Sequence, residues 1–299
     1  MSGSPDASTH RAGLAFGLGA YALWGVAPLF WHLLDGVPAG EQFGQRIVWS
    51  CVFFVLWSFG IDRLRAVRSI LATRRDRRRL ALAALCVSTN WFVFVYAVMV
   101  DRVLDVSLGY FINPLVSVAL GRFVLGERLR PLQAAAVAIA IIGVALVAIG
   151  TGGLPWISLV LAFSFGTYGL IRKTTAVTAL AGSTFETIVL LPLALGGLVW
   201  MQLQGDGHML GGETRTVLLL LCTGPVTAVP LYLFANAARR LPLTTVGFIQ
   251  YLAPSIQFAL AVFAFGEAVE PMKLVAFGLV WTALVVFTMD GLRSRAPSA

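Results

Sequence analysis

Residues 110–131 read YFINPLVSVALGRFVLGERLRP, and residues 250–271 read QYLAPSIQFALAVFAFGEAVEP. At a constant offset of 140 residues, without gaps, seven of the 22 positions are identical, including both prolines and the Gly-Glu pair. A second match aligns LAFGLGAYAL at 14–23 with LAFSFGTYGL at 161–170, with six identities in ten. Self-similarity of this kind indicates that one structural unit has been duplicated. The sequence therefore predicts one copy of the unit in each half of the chain.

Long apolar stretches recur through both copies. The chain has 299 residues, of which 58% are hydrophobic and only 12% are charged, whereas a soluble domain carries about 25% charged residues. A membrane-spanning helix needs roughly 20 apolar residues. The sequence therefore predicts an all-α membrane protein with no room for a soluble catalytic or nucleic-acid-binding domain. The ten predicted spans are 12–34, 41–61, 80–100, 104–125, 132–150, 155–172, 180–201, 216–236, 243–265 and 271–289.

The repeat relates span 1 to span 6 and span 4 to span 9. A unit of five spans crosses the membrane an odd number of times, so its second copy must enter the membrane in the opposite orientation. The loops after spans 4 and 9 agree with this inversion, because GERLRP at 126–131 is basic and GEAVEP at 266–271 is acidic. We predict two inverted five-helix domains, at 1–150 and 151–299, an architecture typical of secondary transporters.

The basic residues predict the orientation of the chain. Eight arginines lie between residues 62 and 79, and basic loops stay in the cytoplasm. With a cytoplasmic N-terminus, 18 of the 22 basic residues are cytoplasmic, including Arg172, and only Arg102, Arg215 and Lys273 lie outside. We therefore expect both termini to be cytoplasmic. The net charge of +8 then reflects orientation and does not indicate a nucleic-acid partner.

Five stretches resemble the drug/metabolite transporter superfamily, in particular its EamA-type, RarD-like branch of bacterial permeases. They are EQFGQRIVWS (41–50), TNWFVFVYAV (89–98), SLGYFINPLVSV (107–118), LGERLRPLQ (125–133) and GLPWISLVLAFSFGTYGLIRK (153–173). The resemblance runs from the first span to the last. It implies a ten-helix inner-membrane exporter of small metabolites or drugs, with two five-helix halves around a central cavity. It does not imply a particular cargo.

The two clearest charges inside predicted spans are Arg46 and Glu186, and an ionisable group there requires a partner or access to water. Arg46 and Glu186 occupy matching helices of the two copies, so inversion places them in opposite leaflets and argues against a direct salt bridge. Arg46 either binds an anionic group or is a snorkelling or structurally paired arginine. Glu186 either carries a coupled proton, since burial favours the neutral carboxyl, or bonds a neighbouring helix.

Polar and aromatic residues supply the other candidates. Spans 4 and 9 each carry a polar stripe with a proline, which opens a backbone carbonyl. Ligand pockets combine aromatic walls with a few polar groups. Five tryptophans near span ends are expected to be interfacial anchors, namely Trp31, Trp49, Trp57, Trp156 and Trp200. The complete set of predicted substrate-binding residues is Trp24, Arg46, Asn90, Trp91, Tyr96, Tyr110, Asn113, Tyr168, Glu186, Tyr232, Gln250 and Gln257.

The sequence indicates a secondary transporter, with an amino-acid-like or amphiphilic aromatic cargo. It contains no phosphate-binding glycine loop, so an ion gradient, including a proton gradient, or the cargo's own gradient would supply the energy. We expect no metal and no cofactor. Two alternatives stay open: a non-transporting membrane sensor or subunit, and an intramembrane enzyme using Ser183. The enzyme is disfavoured because no histidine lies deep within a predicted span, His32 being at the outer end of the first.

The charge distribution provides a test of orientation. In a variant with its native cysteines replaced by alanine, we expect Asp206→Cys to react with a membrane-impermeant maleimide in intact cells. Asp76→Cys should react only after the inner membrane is permeabilised, because the two positions lie on opposite sides. Labelling of Asp76→Cys in intact cells would contradict the predicted orientation.

Overall fold

The computed structural model describes residues 7–59, 70, 73–100, 102–149, 156–264 and 271–293. Within these ranges the chain forms ten long helices and no strand. They are α1 (Ala7–Trp31), α2 (Ala39–Phe59), α3 (Arg74–Met99), α4 (Val103–Phe123), α5 (Pro131–Ile149), α6 (Trp156–Thr174), α7 (Ala179–Gln204), α8 (Thr214–Arg240), α9 (Leu243–Phe263) and α10 (Pro271–Arg293). The arginines Arg63, Arg65 and Arg68, most of the acidic loop 266–271 and the predicted domain boundary at 150–151 lie outside the described residues.

Each predicted span coincides with one helix, so the prediction of an all-α membrane protein is confirmed. Eight helices are long and apolar enough to cross a membrane by composition alone. The other two are α2, which contains Arg46, and α6, which contains Arg172. α1 and α3 begin earlier than predicted, at Ala7 and Arg74, because each helix continues past its apolar part.

Prolines occupy equivalent positions in the helices of both copies. Pro131 and Pro271, which the repeat relates, are the first residues of α5 and α10, where a missing N–H costs nothing. Pro114 and Pro254 lie inside helices. α9 is divided at Tyr251 into Leu243–Gln250 and Leu252–Phe263, because Pro254 cannot donate to the carbonyl four residues earlier.

Three of the helix pairs that the repeat relates, α2–α7, α5–α10 and α4–α9, pack against each other in antiparallel fashion. Near one end of the pair α2–α7, the hydroxyls of Ser58 and Thr184 lie 3.1 Å apart, and near the other Gly44 of α2 faces Leu198 of α7. For α5–α10, Arg130 just before α5 lies 2.7 Å from Asp290 near the end of α10. An inverted second copy predicts this arrangement, and the pairs α4–α6 and α9–α1, which inversion would interchange, both pack closely.

The third such pair, α4–α9, is joined by a carboxylate. After α4 the chain turns at Gly126 with a positive φ of 70°, which glycine adopts without strain. Glu127 then accepts hydrogen bonds from the backbone amides of Leu243 and Thr244 at 2.6 and 2.9 Å, and from the Thr244 hydroxyl at 2.7 Å. The carboxylate therefore caps the first turn of α9, where the helix dipole favours negative charge.

The closest approach of α8 to α2 occurs at Gly224. A Cβ there would lie 2.6 Å from the carbonyl group of Trp49, whereas a Cβ at Gly278 of α10 would meet nothing within 4 Å. We expect Gly224→Ala to lower the free energy of unfolding by about 1–3 kcal/mol, because the helices must separate. Gly278→Ala should be neutral or stabilising. Thermal denaturation in detergent compares the two, and equal midpoints would contradict the close contact.

Candidate functional site

The side chain of Arg46 lies between two tryptophans at one end of the bundle. Its guanidinium carbon is 4.4 Å from the centre of the Trp91 ring and 5.1 Å from the centre of the Trp31 ring. Arg46 follows the first residue of α2 by seven positions, which places it about 10 Å below the helix end. At this depth the two electron-rich ring faces stabilise the cation in place of water.

Arg46 has no acidic partner within the described part of the chain. None of the ion pairs there includes it, and its Nε is buried without a hydrogen-bond partner. The phenol of Tyr110 is close enough to interact with it electrostatically, and Phe94 packs beside Tyr110 with ring centres 6.4 Å apart. A cation held in such surroundings favours an anionic ligand, because hydrogen bonds between opposite charges are the strong ones.

The other predicted intramembrane charge, Glu186, is fully satisfied by its neighbours. Its Oε1 lies 2.9 Å from Nη1 of Arg172, and both side chains are only 1% exposed. The Tyr168 hydroxyl donates to Oε2 at 3.1 Å, and Nη2 of Arg172 donates to the Ala179 carbonyl at 3.0 Å. A side chain at Gly182 would run into the Arg172 guanidinium. The arrangement favours the structural alternative for Glu186 over the proton-carrying one.

Arg172 does not face the cytoplasm as the orientation prediction assumes. The sequence counts it among the cytoplasmic loop charges, but its side chain is buried inside the protein, two residues before α6 ends. It therefore cannot report orientation through contact with water or headgroups. As expected, Glu186 does not pair with Arg46, since the antiparallel packing of α2 and α7 places them at opposite ends.

The polar stripes of α4 and α9 contact each other. Gln250 donates to the Ser117 hydroxyl at 3.1 Å, and Gln257 donates to the Trp24 carbonyl at 3.2 Å. Both glutamines therefore join helices, in addition to any role in lining a path. Asn113 is buried, and its Oδ1 has no hydrogen-bond partner among the described residues, which keeps it available to a ligand or water.

The predicted aromatic residues separate into three places. Trp24 and Tyr168 join Tyr21, Phe165 and Phe234 in a packed cluster between α1, α6 and α8. Tyr168 is completely buried there, so it fills the core and positions Glu186. Trp91 belongs to the Arg46 cluster, which consists of Arg46, Trp31, Trp91 and Tyr110. Tyr232 lies near the opposite end of the bundle, 4.6 Å from Trp57.

Two predicted lining residues occupy other positions. Asn90 is buried but its amide donates to the Leu161 carbonyl at 2.8 Å and to the Ser164 hydroxyl, so it joins α3 to α6. Tyr96 is 40% exposed on the outer surface, beside Trp156 with ring centres 6.0 Å apart. Sequence patterns give the apolar spans but not the rotation of each helix, which decides which face points inwards.

The sequence did not predict the contacts that three residues make inside the protein. Trp31 and Trp57 were expected to be lipid anchors, yet Trp31 covers Arg46 and Trp57 packs on Tyr232. In the first turn of α2, Glu41 accepts hydrogen bonds from the backbone amides of His208 and Met209 and contacts the His208 ring at 2.9 Å. The prediction for Trp156 and Trp200 agrees with their exposure of 40% and 62%.

Known proteins are similar to this chain over nearly its whole length. The EamA-like transporter family matches residues 11–149. Protein RarD of Streptomyces exfoliatus is 46% identical over 97% of this chain and 92% of that protein. An uncharacterized transporter of Vibrio cholerae is 41% identical over 97% and 96%. A crystal structure with 18% identity superimposes with a TM-score of 0.71, covering 96% of this chain and 100% of that one, which shows a shared fold.

The Arg172–Glu186 pair generates a stability prediction. Glu186→Gln should lower the free energy of unfolding by about 3–5 kcal/mol, because it leaves Arg172 buried without a counter-charge. The double variant Arg172→Met with Glu186→Gln should recover part of this loss. Thermal denaturation of the purified protein measures both effects, with the exposed Glu213→Gln as control. A Glu186→Gln variant as stable as this control would contradict the structural role.

Proposed function

The chain belongs to the EamA-like transporter family, in its RarD-like branch, and on this premise we propose that it is a secondary active exporter. It moves a small metabolite or drug across the bacterial inner membrane by alternating access, driven by an ion gradient or by the gradient of the cargo. The two halves, 1–150 and 151–299, are the inverted domains that rock about a central site, with both termini in the cytoplasm. Family membership and the apolar helices support this proposal.

The observation that carries it is the Arg46 cluster. Arg46 has no acidic partner in the described residues, and the rings of Trp31 and Trp91 both contact its guanidinium. A structural arginine at this depth would be expected to pair with a carboxylate, as Arg172 does. The cluster instead presents a positive charge beside apolar rings, and this suits a cargo that has both an anionic and an apolar part.

The chemistry of the cluster narrows the cargo class. A guanidinium binds a carboxylate through two parallel hydrogen bonds, and the flanking indoles of Trp31 and Trp91 pack well against flat or aliphatic groups. We therefore propose a small carboxylate with an apolar or aromatic body, such as an amino acid of this kind. Tyr110 and Asn113, on the adjoining face of α4, supply further polar contacts.

Proton coupling through Glu186 is the less favoured alternative. Protonation of Glu186 would leave the guanidinium of Arg172, 2.9 Å away, without a counter-charge in a site that water does not reach. The cost of that state opposes proton uptake during the transport cycle. We propose instead that Glu186 holds α6 against α7.

The rival functions have less support. An intramembrane enzyme would need a base beside Ser183, but Ser183 is completely buried. Among the described residues its Oγ has no hydrogen-bond partner. The one histidine of residues 151–299, His208, contacts Glu41 at the opposite end of α7. A non-transporting sensor or subunit would not require an unpaired charge at this depth, so the Arg46 cluster favours transport.

Flux measurements in proteoliposomes test the cargo class. We expect the purified protein to transport L-phenylalanine, and phenylalaninol about ten-fold more slowly, because only the former has a carboxylate. Arg46→Gln should reduce L-phenylalanine flux about ten-fold or more, since a hydrogen bond to a charged group contributes about 1.5–3 kcal/mol. Arg46→Lys should retain part of the flux, and the exposed Arg122→Gln should be unchanged.

Three outcomes separate the parts of this proposal. Wild-type flux of L-phenylalanine through Arg46→Gln would show that Arg46 does not bind the carboxylate. If a folded Glu186→Gln variant loses pH-driven flux but keeps exchange, Glu186 carries the coupled proton. Absence of flux for amino acids, nucleosides and amphiphilic drugs, with or without a pH gradient, would overturn the exporter and favour a sensor or subunit.

A further inference from the structure

A cavity lined by two arginines lies at the opposite end of the bundle from Arg46. Its volume is about 660 Å³, and it opens where α7 begins and α8 ends, at the predicted cytoplasmic surface. The lining residues are Thr178, Ala179, Leu180, Tyr232, Asn236, Arg239 and Arg240. Only Tyr232 among these was predicted to contact cargo.

The two arginines of this cavity are held by neutral groups. Arg240 donates to the side-chain and backbone oxygens of Asn236, and its guanidinium carbon is 4.9 Å from the Phe16 ring centre. Arg239 approaches only the Ala176 carbonyl, at 3.5 Å. Within the described ranges neither forms an ion pair, and the nearby carboxylate of Glu186 is already occupied by Arg172.

The shape and lining of the cavity add to this excess of positive charge. Arg172 and Arg240 both act on Arg239 as like charges, so an anion entering the cavity would relieve repulsion. The first turn of α7 lines one side, and the helix dipole at this end favours negative charge. Tyr232 forms an aromatic wall with Trp57 and Phe16 behind it. The cavity therefore combines an anion site with apolar surface, as the Arg46 cluster does.

We propose that Arg239 and Arg240 form a loading site that binds the anionic group of the cargo at the cytoplasmic mouth, before the cargo reaches Arg46. This inference rests on the proposed function and adds a second site to it. The same chemistry suits an anionic lipid headgroup, because arginines at cytoplasmic helix ends attract such lipids. If the two arginines bind cargo, their substitution should impair transport from the cytoplasmic face only. This effect should persist in membranes of neutral lipid.

Sided transport measurements test the loading site. In inside-out membrane vesicles, we expect Arg239→Gln with Arg240→Gln to raise the KM for L-phenylalanine at least five-fold with little change in kcat. In right-side-out vesicles the KM should change less than two-fold, because the outer face presents cargo to Arg46 first. Arg122→Gln, on the same predicted face but outside the cavity, is the matched control. The single variants repeat the test if the double variant does not fold.

The outcomes distinguish the two proposals. If wild-type vesicles transport none of the tested cargo, the proposed function fails. If Arg46→Gln impairs flux while the Arg239 and Arg240 variants keep the wild-type KM on both faces, only the loading site is overturned. It is also overturned if their effect requires phosphatidylglycerol and disappears in phosphatidylcholine proteoliposomes, since the arginines then bind lipid headgroups.

Discussion

A charge inside a bilayer must be neutralised, solvated or covered by aromatic faces, and the Arg172–Glu186 pair shows how strictly this chain obeys that constraint. The Tyr168 hydroxyl and the Ala179 carbonyl both contact the pair, and Gly182 leaves room for the guanidinium. Because either charge alone would be strongly destabilising, the two helices must pack together. The start of the second half of the bundle is therefore organised around this one interaction.

The same constraint divides the arginines into two groups. Arg172 has a buried carboxylate partner in Glu186, which leaves it unavailable to an anionic cargo. Arg46 and Arg239 have no acidic partner in the parts of the chain that the structure describes, and aromatic rings or carbonyl oxygens take the place of a counter-ion. Such contacts stabilise a cation less than a carboxylate does. An incoming anion therefore improves the surroundings of these arginines, which is what a binding site requires.

The sequence predicted the helices well because span length and repeat identity are local properties. Pro131 and Pro271 mark the same helix start in both copies, and the structure places them there. The sequence predicted the site less well, because partners depend on helix rotation. Tyr96 lies three residues from Val93 on α3, yet Tyr96 is exposed and Val93 is buried. The Arg172–Glu186 pair could have been predicted, because one short connection separates the helices that carry the two residues. Arg172, the last residue of the predicted span 155–172, was instead counted as a cytoplasmic charge.

Transport requires that the cargo be held at each stage without being trapped. A guanidinium paired with a buried carboxylate would not bind an anionic cargo. A guanidinium with several free hydrogen-bond donors, in a site without water, would bind the cargo too tightly to release it. Arg46 between two indoles lies between these extremes, since the rings stabilise the cation when the site is empty. Arg239 and Arg240, partly bonded to carbonyl and amide oxygens, provide a similar intermediate at the other end. On the proposed function, each end of the bundle therefore offers the cargo a cation without a buried carboxylate partner, so the cargo can be held and released at both ends.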